Sequence, residues 1–192
     1  MQLPDWLTTT LAADAVGSTG VPEIDVSPLR MGQRLSGQVT TVRLAEGDNQ
    51  GLREVLAHGP QLGPVLLVHG SPTSRRAVMG EIVAAALAHR GFTGMITDGL
   101  VRDSNDIALL NFPVWARGTC PLASNKGGPC GLDEPLQFGG VPVQPGDYVI
   151  ADDDGIVIWP SAMCATFLHA ADARRQLDVE RLRKAQSGLG LS

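Results

Sequence analysis

The hydrophobic positions along this chain switch between two periods, and the switches divide it into short elements. Residues 5–16 place Trp6, Leu7, Leu11, Ala15 and Val16 on one face at helical spacing, with Thr8 to Thr10 toward the polar side. Gly17 to Pro22 reads as a loop, and residues 35–43 alternate as a strand. Residues 49–58 predict a short helix stopped at Gly59, with His58 in the last turn, where a cation is favourable. The unbroken apolar run Val65-Leu66-Leu67-Val68-His69 predicts a buried strand, and Gly70-Ser71-Pro72 a loop after it. Residues 81–90 carry Ile82, Ala85, Ala86 and His89 at helical spacing, and Gly91 is placed to stop that helix. A strand over 92–97, a short helix over 101–110 and a third strand over 112–116 follow.

The second half has a different rhythm. Residues 117–134 contain Gly, Pro and Cys without a period, and are expected to form a long surface loop. Residues 136–143 read as a strand or hairpin, and Pro145-Gly146-Asp147 as a turn. Residues 148–151 and 156–159 are expected to pair across Asp152-Asp153-Asp154-Gly155. From Pro160 a long final helix carries a stripe of Cys164, Phe167, Leu168, Ala171, Leu177 and Leu182. Alternation of helix and strand followed by hairpins predicts an α/β fold, here one domain over 1–192. No Gly-x-Gly-x-x-Gly follows a strand, so a dinucleotide fold is not indicated.

Composition narrows the function classes. Aromatic residues are only 4% of the chain, so the core must be aliphatic. The net charge is -5 and no basic run occurs before the last helix, so a nucleic-acid partner is not expected. No apolar run reaches the roughly 18 residues of a membrane span. The N-terminus lacks the basic and apolar regions of a secretory leader, and Cys120, Cys130 and Cys164 cannot all pair. A cytoplasmic protein with free thiols is the reading these features give.

The stretch from Gly80 to Asp106 concentrates the candidate chemistry. A helix opening at Gly80-Glu81-Ile82-Val83 offers free N–H groups to a carboxylate, and Gly80 lets a ligand approach the backbone. Glu81 is equally at home in the first turn of any helix. Arg102 can hold a carboxylate or ketone oxygen in a fork, and Asp103 can bind a hard divalent ion, with Glu81 and Asp106 holding its waters. A surface ion pair with a helix cap explains Arg102-Asp103 as well. The run Asp152 to Gly155 lacks the spacing of a calcium loop and reads as a turn. Cys120 and Cys130 lack the spacing of a zinc site.

Five collinear segments carry a resemblance. They are residues 77–84 (AVMGEIVA), 94–103 (GMITDGLVRD), 112–118 (FPVWARG), 138–147 (FGGVPVQPGD) and 151–160 (ADDDGIVIWP). Together they resemble the RraA-like family, which holds the 4-hydroxy-4-methyl-2-oxoglutarate and 4-carboxy-4-hydroxy-2-oxoadipate aldolases and the regulator of ribonuclease E activity. The resemblance implies a three-layer β/β/α fold like the swivelling phosphohistidine domain. It implies an aldolase dependent on Mg²⁺ or Mn²⁺ that releases pyruvate from a 4-hydroxy-2-oxo acid, with oxaloacetate decarboxylation as a side activity. Gly80 to Val83 would bind the pyruvate carboxylate, and Arg102 the substrate oxygens. Asp103 would hold the metal, with Glu81 and Asp106 beside its waters. It further implies a homotrimer or hexamer in which Asp178 or Glu180 reaches the next subunit's site. The alternatives are a non-catalytic regulator binding ribonuclease E, and a relative recruited to another 2-oxo acid. The chain departs from the family pattern where the apolar strand ends in His69 rather than Asp, and in the cysteine-bearing segment 117–134.

Overall fold

The computed structural model describes residues 1–187. Residues 188–192, the end of the span read as one domain, lie outside the described residues. The elements in order are α1 (Thr9–Ala15), β1 (Ser27–Pro28), β2 (Leu35–Leu44), α2 (Gln50–His58), β3 (Val65–His69), β4 (Ala77–Met79), α3 (Glu81–His89), β5 (Gly94–Thr97), β6 (Leu100–Val101), α4 (Ser104–Leu109), β7 (Val114–Ala116), β8 (Gly118–Thr119), β9 (Cys130–Leu132), β10 (Leu136–Phe138), β11 (Val141–Val143), β12 (Tyr148–Asp152), β13 (Gly155–Trp159) and α5 (Cys164–Gln186).

The large sheet runs β1-β7-β5-β3-β2-β12-β13, with β9 also paired to β2. Its centre is parallel: Val39 to Arg43 of β2 register with Val65 to His69 of β3, and Val65 to Val68 with Gly94 to Thr97 of β5. Parallel strands need both faces covered, and β3 is fully apolar down to Val68 for that reason. One face packs on α2, α3 and α4 through Leu52, Val55, Ala84, Leu87 and Ile107. The other packs on the β10–β11 hairpin and the inner side of β12–β13 through Trp115, Phe138, Val143, Val149 and Ile158. A third cluster seats α1 and the first half of α5 on the outer side of β12–β13, around Trp159, Cys164 and Ala171. This is the expected α/β arrangement of helix and sheet layers.

Three strands of the large sheet each continue into a strand of a second, smaller one. After β3, β5 and β7 the chain steps sideways into β4, β6 and β8, which pair in the order β4-β6-β8, all parallel. The steps require close backbone approach: a Cβ on Gly70 would lie 3.3 Å from Gly99 Cα and 2.8 Å from Val78 Cγ1. Asp98, 3% exposed, fastens the step; its carboxylate accepts from the Gly70 N–H at 2.6 Å and binds His69 Nδ1 at 2.5 Å.

Several expectations are corrected by this architecture. Helix α1 starts at Thr9, because Thr8 caps it by accepting from Leu11 N–H. Thr9 is not on a polar side; it is buried, and its hydroxyl and N–H both donate to Asp152. Leu100 and Val101 are a strand rather than the start of a helix, since they pair with β4. On α3 the buried face is Val83, Ala84, Leu87 and Ala88, and Ile82 is 81% exposed. The buried α5 stripe ends at Ala171, and Leu177 and Leu182 are exposed. Segment 117–134 is not a free loop. It supplies β8 and β9 and bridges to Asp48 and Ala77.

The acidic turn behaves as a turn. Asp152 pairs with Gly155 across it, Asp152 also accepts from the Asp154 N–H, and the Asp153 carboxylate accepts from the Gly32 N–H at 2.9 Å.

Candidate functional site

Parallel strands deliver their C-terminal ends to one edge, and in open α/β sheets ligands bind beyond that edge. In the small sheet the ends are Met79, Val101 and Thr119, so the next residues, Gly80, Arg102 and Cys120, emerge side by side. Backbone bonds fix the spacing: Arg102 N–H donates to Met79 O and Cys120 N–H to Val101 O, both at 2.9 Å.

The N-terminus of α3 points into this edge. Its first intrahelical bond runs from Ala84 N–H to Gly80 O. The Glu81 N–H donates to Asp103 Oδ2 at 3.2 Å, while those of Ile82 and Val83 have no protein acceptor among the described residues. Asp103 sits in left-handed backbone, φ 54°, as the N-cap of α4, which turns its carboxylate back toward α3. Arg102 Nε is 3.6 Å from Asp103 Oδ2, and both side chains are about two-fifths exposed. Gly80 is the floor between them: a Cβ there would stand 2.4 Å from Asp103 Oδ2 and 2.9 Å from Arg102 Nε.

Arg102 and Asp103 form a ridge between two clefts. One, of about 300 Å³, is lined by Gly80, Ile82 and Val83 on one side and by Asn49, Arg53, Ser124 and Lys126 on the other. The second holds Asp106, Ser104, Thr119 and Cys120. The fold thus brings together Gly80, Ile82, Val83, Arg102 and Asp103. The Glu81 side chain is exposed and lines neither cleft, while its backbone N–H reaches Asp103 Oδ2. Asp106 lies across the ridge from Gly80.

The donor set can be tested against a divalent cation. Among the described residues no three His, Cys, Asp or Glu side chains gather into a cage. Asp103 offers one carboxylate, Oδ2 already shared with a backbone N–H and Oδ1 uncommitted. One carboxylate beside an open cleft fits a small hard cation that keeps most of its waters, such as Mg²⁺ or Mn²⁺. It does not fit zinc, which wants a closed set of nitrogen or sulfur donors.

Sequence reasoning missed the far wall. Asn49 donates from Nδ2 to Val78 O at 3.1 Å, and Asp48, 5% exposed, binds the N–H groups of Gln50 and Gly128. These bonds hold residues 124–128 against the start of α2. The available signal was Asp48-Asn49 before a predicted helix, a capping pattern that also marks a loop anchor. The His69–Asp98 pair stands apart from both clefts; its hydrogen bond raises the His69 pKa above the usual imidazole value, against the effect of burial.

With this fold and site in place, the comparisons with known proteins are specific. The chain belongs to the RraA-like family (Aldolase/RraA), whose model matches residues 9–158. A relative from Halalkalibacterium halodurans, provisionally named a 4-hydroxy-4-methyl-2-oxoglutarate aldolase, is 31% identical over 93% of this chain and 84% of its own. The RNA-processing inhibitor RraA from Thermus thermophilis superposes with a TM-score of 0.71 at 30% identity, covering 83% of this chain and 94% of that one. Streptomyces coelicolor RraAS2, described as an unusual member of the RNase ES inhibitor RraA family, gives 0.80 at 26% identity, over 92% and 93%. The family therefore supports an aldolase or a regulator, on an RraA fold with the swivelling three-layer design.

Proposed function

We propose that this protein is a metal-dependent lyase that cleaves a 4-hydroxy-2-oxo acid into pyruvate and a second 2-oxo acid, and that it decarboxylates oxaloacetate as a side activity. The observation that carries the reading is the convergence of the α3 N–H groups, the Arg102 guanidinium and the Asp103 carboxylate around Gly80. A 2-oxo acid presents two adjacent oxygen functions, and the site offers a separate partner for each.

The substrate carboxylate docks at the Ile82 and Val83 N–H groups, where the helix start favours negative charge. Arg102 donates to the 2-oxo oxygen, which gains negative charge as the C4 hydroxyl gives its proton to water, C4=O forms as the carbonyl of the second product, the bond between C3 and C4 breaks and the C3 electrons delocalise into an enolate. A forked donor fixed before the reaction lowers the energy of that charge without reorganising. Water then returns a proton to C3 and pyruvate is released. Asp103 would hold Mg²⁺ or Mn²⁺, which would supply Lewis-acid charge to the reaction. Glu81 and Asp106 are the nearby carboxylates proposed to accept hydrogen bonds from water around that cation.

Pyruvate release from oxaloacetate tests the reading. Purified protein with millimolar Mg²⁺ is expected to release pyruvate faster than the spontaneous rate, and excess EDTA to abolish the difference. Equal rates with Mg²⁺ and with EDTA would end the metal-dependent reading. One solved relative is described as an RNA-processing inhibitor and the other as an unusual member of the RNase ES inhibitor RraA family, which supports the alternative of a regulator docking on a partner such as ribonuclease E. A protein without any metal-dependent pyruvate release favours that alternative.

The cleft is open on one side, and a reactive enolate needs shelter from bulk water. We further propose that a second copy covers it in a homotrimer or hexamer. Ile82 and Leu109, 81% and 85% exposed on the contacting helices α3 and α4, are apolar surface beside the site. On α5, Asp178 is engaged by Arg174 and Arg181, whereas Glu180 is exposed and free of ion pairs among the described residues. Glu180 is therefore the better candidate to reach a neighbouring site. Sedimentation is expected to give a trimer or its dimer; a monomer at micromolar concentration would remove the interface.

A further inference from the structure

The three strands that feed the small sheet reach it through one charged junction. Asp98, at the step from β5 to β6, has a side chain only 4% exposed. Its carboxylate accepts from the Gly70 N–H, at the step from β3 to β4, and binds His69 Nδ1. Its main-chain oxygen accepts from Arg117 Nε at 3.1 Å. Arg117, at the step from β7 to β8, also donates from Nη2 to Ser74 O at 2.7 Å and from its N–H to Gly99 O at 3.1 Å. Every step is therefore bonded to Asp98 or to the arginine that Asp98 holds. Beyond the junction the path to the site is short. Strands β4 and β6 have three and two residues and pair with each other, and Gly80 and Arg102 follow them directly.

The charge balance of this junction depends on a single proton. Among the described residues His69 is the one cation paired with the Asp98 carboxylate, since Arg117 bonds only the Asp98 main chain. Arg43 on β2 opposes a charge on His69 and is itself paired with Glu134. The charged groups around the ring are thus Asp98, Arg43, Glu134 behind Arg43, and Arg117 behind Asp98. The imidazole is one-third exposed, enough to exchange its proton with water. Imidazole is also the side chain whose charge changes near neutral pH. The neutral ring can still donate from Nδ1, so the hydrogen bond outlasts the charge. A carboxylate this buried becomes costly once its counter-charge leaves.

We infer that His69 and Asp98 are positioning residues, and that the imidazolium–carboxylate form of the pair aligns the strand ends bearing Gly80, Arg102 and Cys120. Loss of the His69 proton leaves a buried carboxylate without a counter-charge. The three steps then relax together, because Asp98 and Arg117 join them, and the ends of β4, β6 and β8 shift with them. Neither His69 nor Asp98 lines a cleft, so both act through the strands rather than on a ligand. This gives a role to His69, where the chain departs from the family pattern. The alignment rests on the geometry of the junction; only its effect on turnover rests on the proposed lyase reading.

The test reads alignment and turnover separately. Nuclear magnetic resonance on the purified protein at fixed Mg²⁺ follows the His69 ring and the Gly80 and Arg102 amides from about pH 5.5 to about 9. His69 is expected to titrate above about 6.5, the value of free imidazole, and both amides to shift with the same midpoint. In H69N the side-chain amide takes the place of Nδ1 and donates to Asp98 without titrating, so both amides should stay at their high-pH positions. The thermal midpoint gives the matching sign. A raised folded pKa gives stability that is fully present below about 6.5 and lost as pH rises through the folded value. The original protein should show that loss and H69N should not. In turnover, kcat/KM for pyruvate release should fall about tenfold by one pH unit above the His69 midpoint, a step that H69N lacks. Amides that stay still while His69 titrates, or that move alike in H69N, would overturn the positioning role. Should H69N fail to fold, an amide midpoint different from that of His69 in the original protein would overturn it equally. Coupled amides without pyruvate release would refute the lyase and leave the positioning standing.

Discussion

Asp103→Asn is expected to lower metal-dependent pyruvate release by at least about a hundredfold, because an outer partner of a bound metal alone is commonly worth ten- to a hundredfold. The substitution is chosen for its backbone. Asp103 occupies left-handed space, which Asn tolerates nearly as well and Ala does not. The Asn oxygen can still accept from the Glu81 N–H, and the side chain is exposed, so no packed group is disturbed. What is lost is the negative charge. The thermal midpoint should therefore stay within about 3 °C of the original. The measurement is the oxaloacetate assay at rising Mg²⁺ concentration. A variant that keeps a tenth or more of the activity at saturating Mg²⁺ would show that another group holds the cation.

How much of this site was readable from the chain follows from which forces place its parts. Gly80, Arg102 and Asp103 were legible because they follow apolar segments directly, and a strand end fixes the position of the next residue. The strands β4 and β6 were not, since pieces of three and two residues have no measurable period. They exist because β3 and β5 place them side by side, which is a tertiary effect. The face of α3 was misread by one step for a related reason. With four alanines among nine residues, Ile82 is the natural core candidate, yet the packing direction puts Leu87 and Ala84 inside. The far wall was hidden in a segment that lacks any period. Its order comes from single hydrogen bonds to Asp48 and Gly47, contacts some eighty residues away in sequence for Gly128. The acidic turn at 152–155 is the opposite case. A local rule, Asp-Gly in a tight turn, was enough, and the surrounding N–H groups consume its carboxylates.

Gly80→Ala should separate geometry from stability most cleanly. Its backbone, φ -129° and ψ -175°, is extended and open to any residue, so the methyl group introduces no conformational strain. The added Cβ would meet no backbone atom among its three nearest neighbours. It would meet Asp103 Oδ2 at 2.4 Å, Arg102 Nε at 2.9 Å and Arg102 Cγ at 3.0 Å. Both side chains are partly exposed and can swing outward, so the fold survives and the displacement falls on the two groups proposed to hold cation and substrate. A shift near 1 Å in such groups costs on the order of a hundredfold in rate. The expected result is a loss of kcat/KM of about that size, with the thermal midpoint within about 3 °C. Ala85→Ser, on an exposed position of the same helix, is the control and should change neither. If Gly80→Ala retained near-full turnover, Arg102 and Asp103 would not be the groups whose placement limits the reaction. If it lost activity only through a collapse of the midpoint, the glycine would be serving the fold at the β4–α3 junction rather than the chemistry beside it.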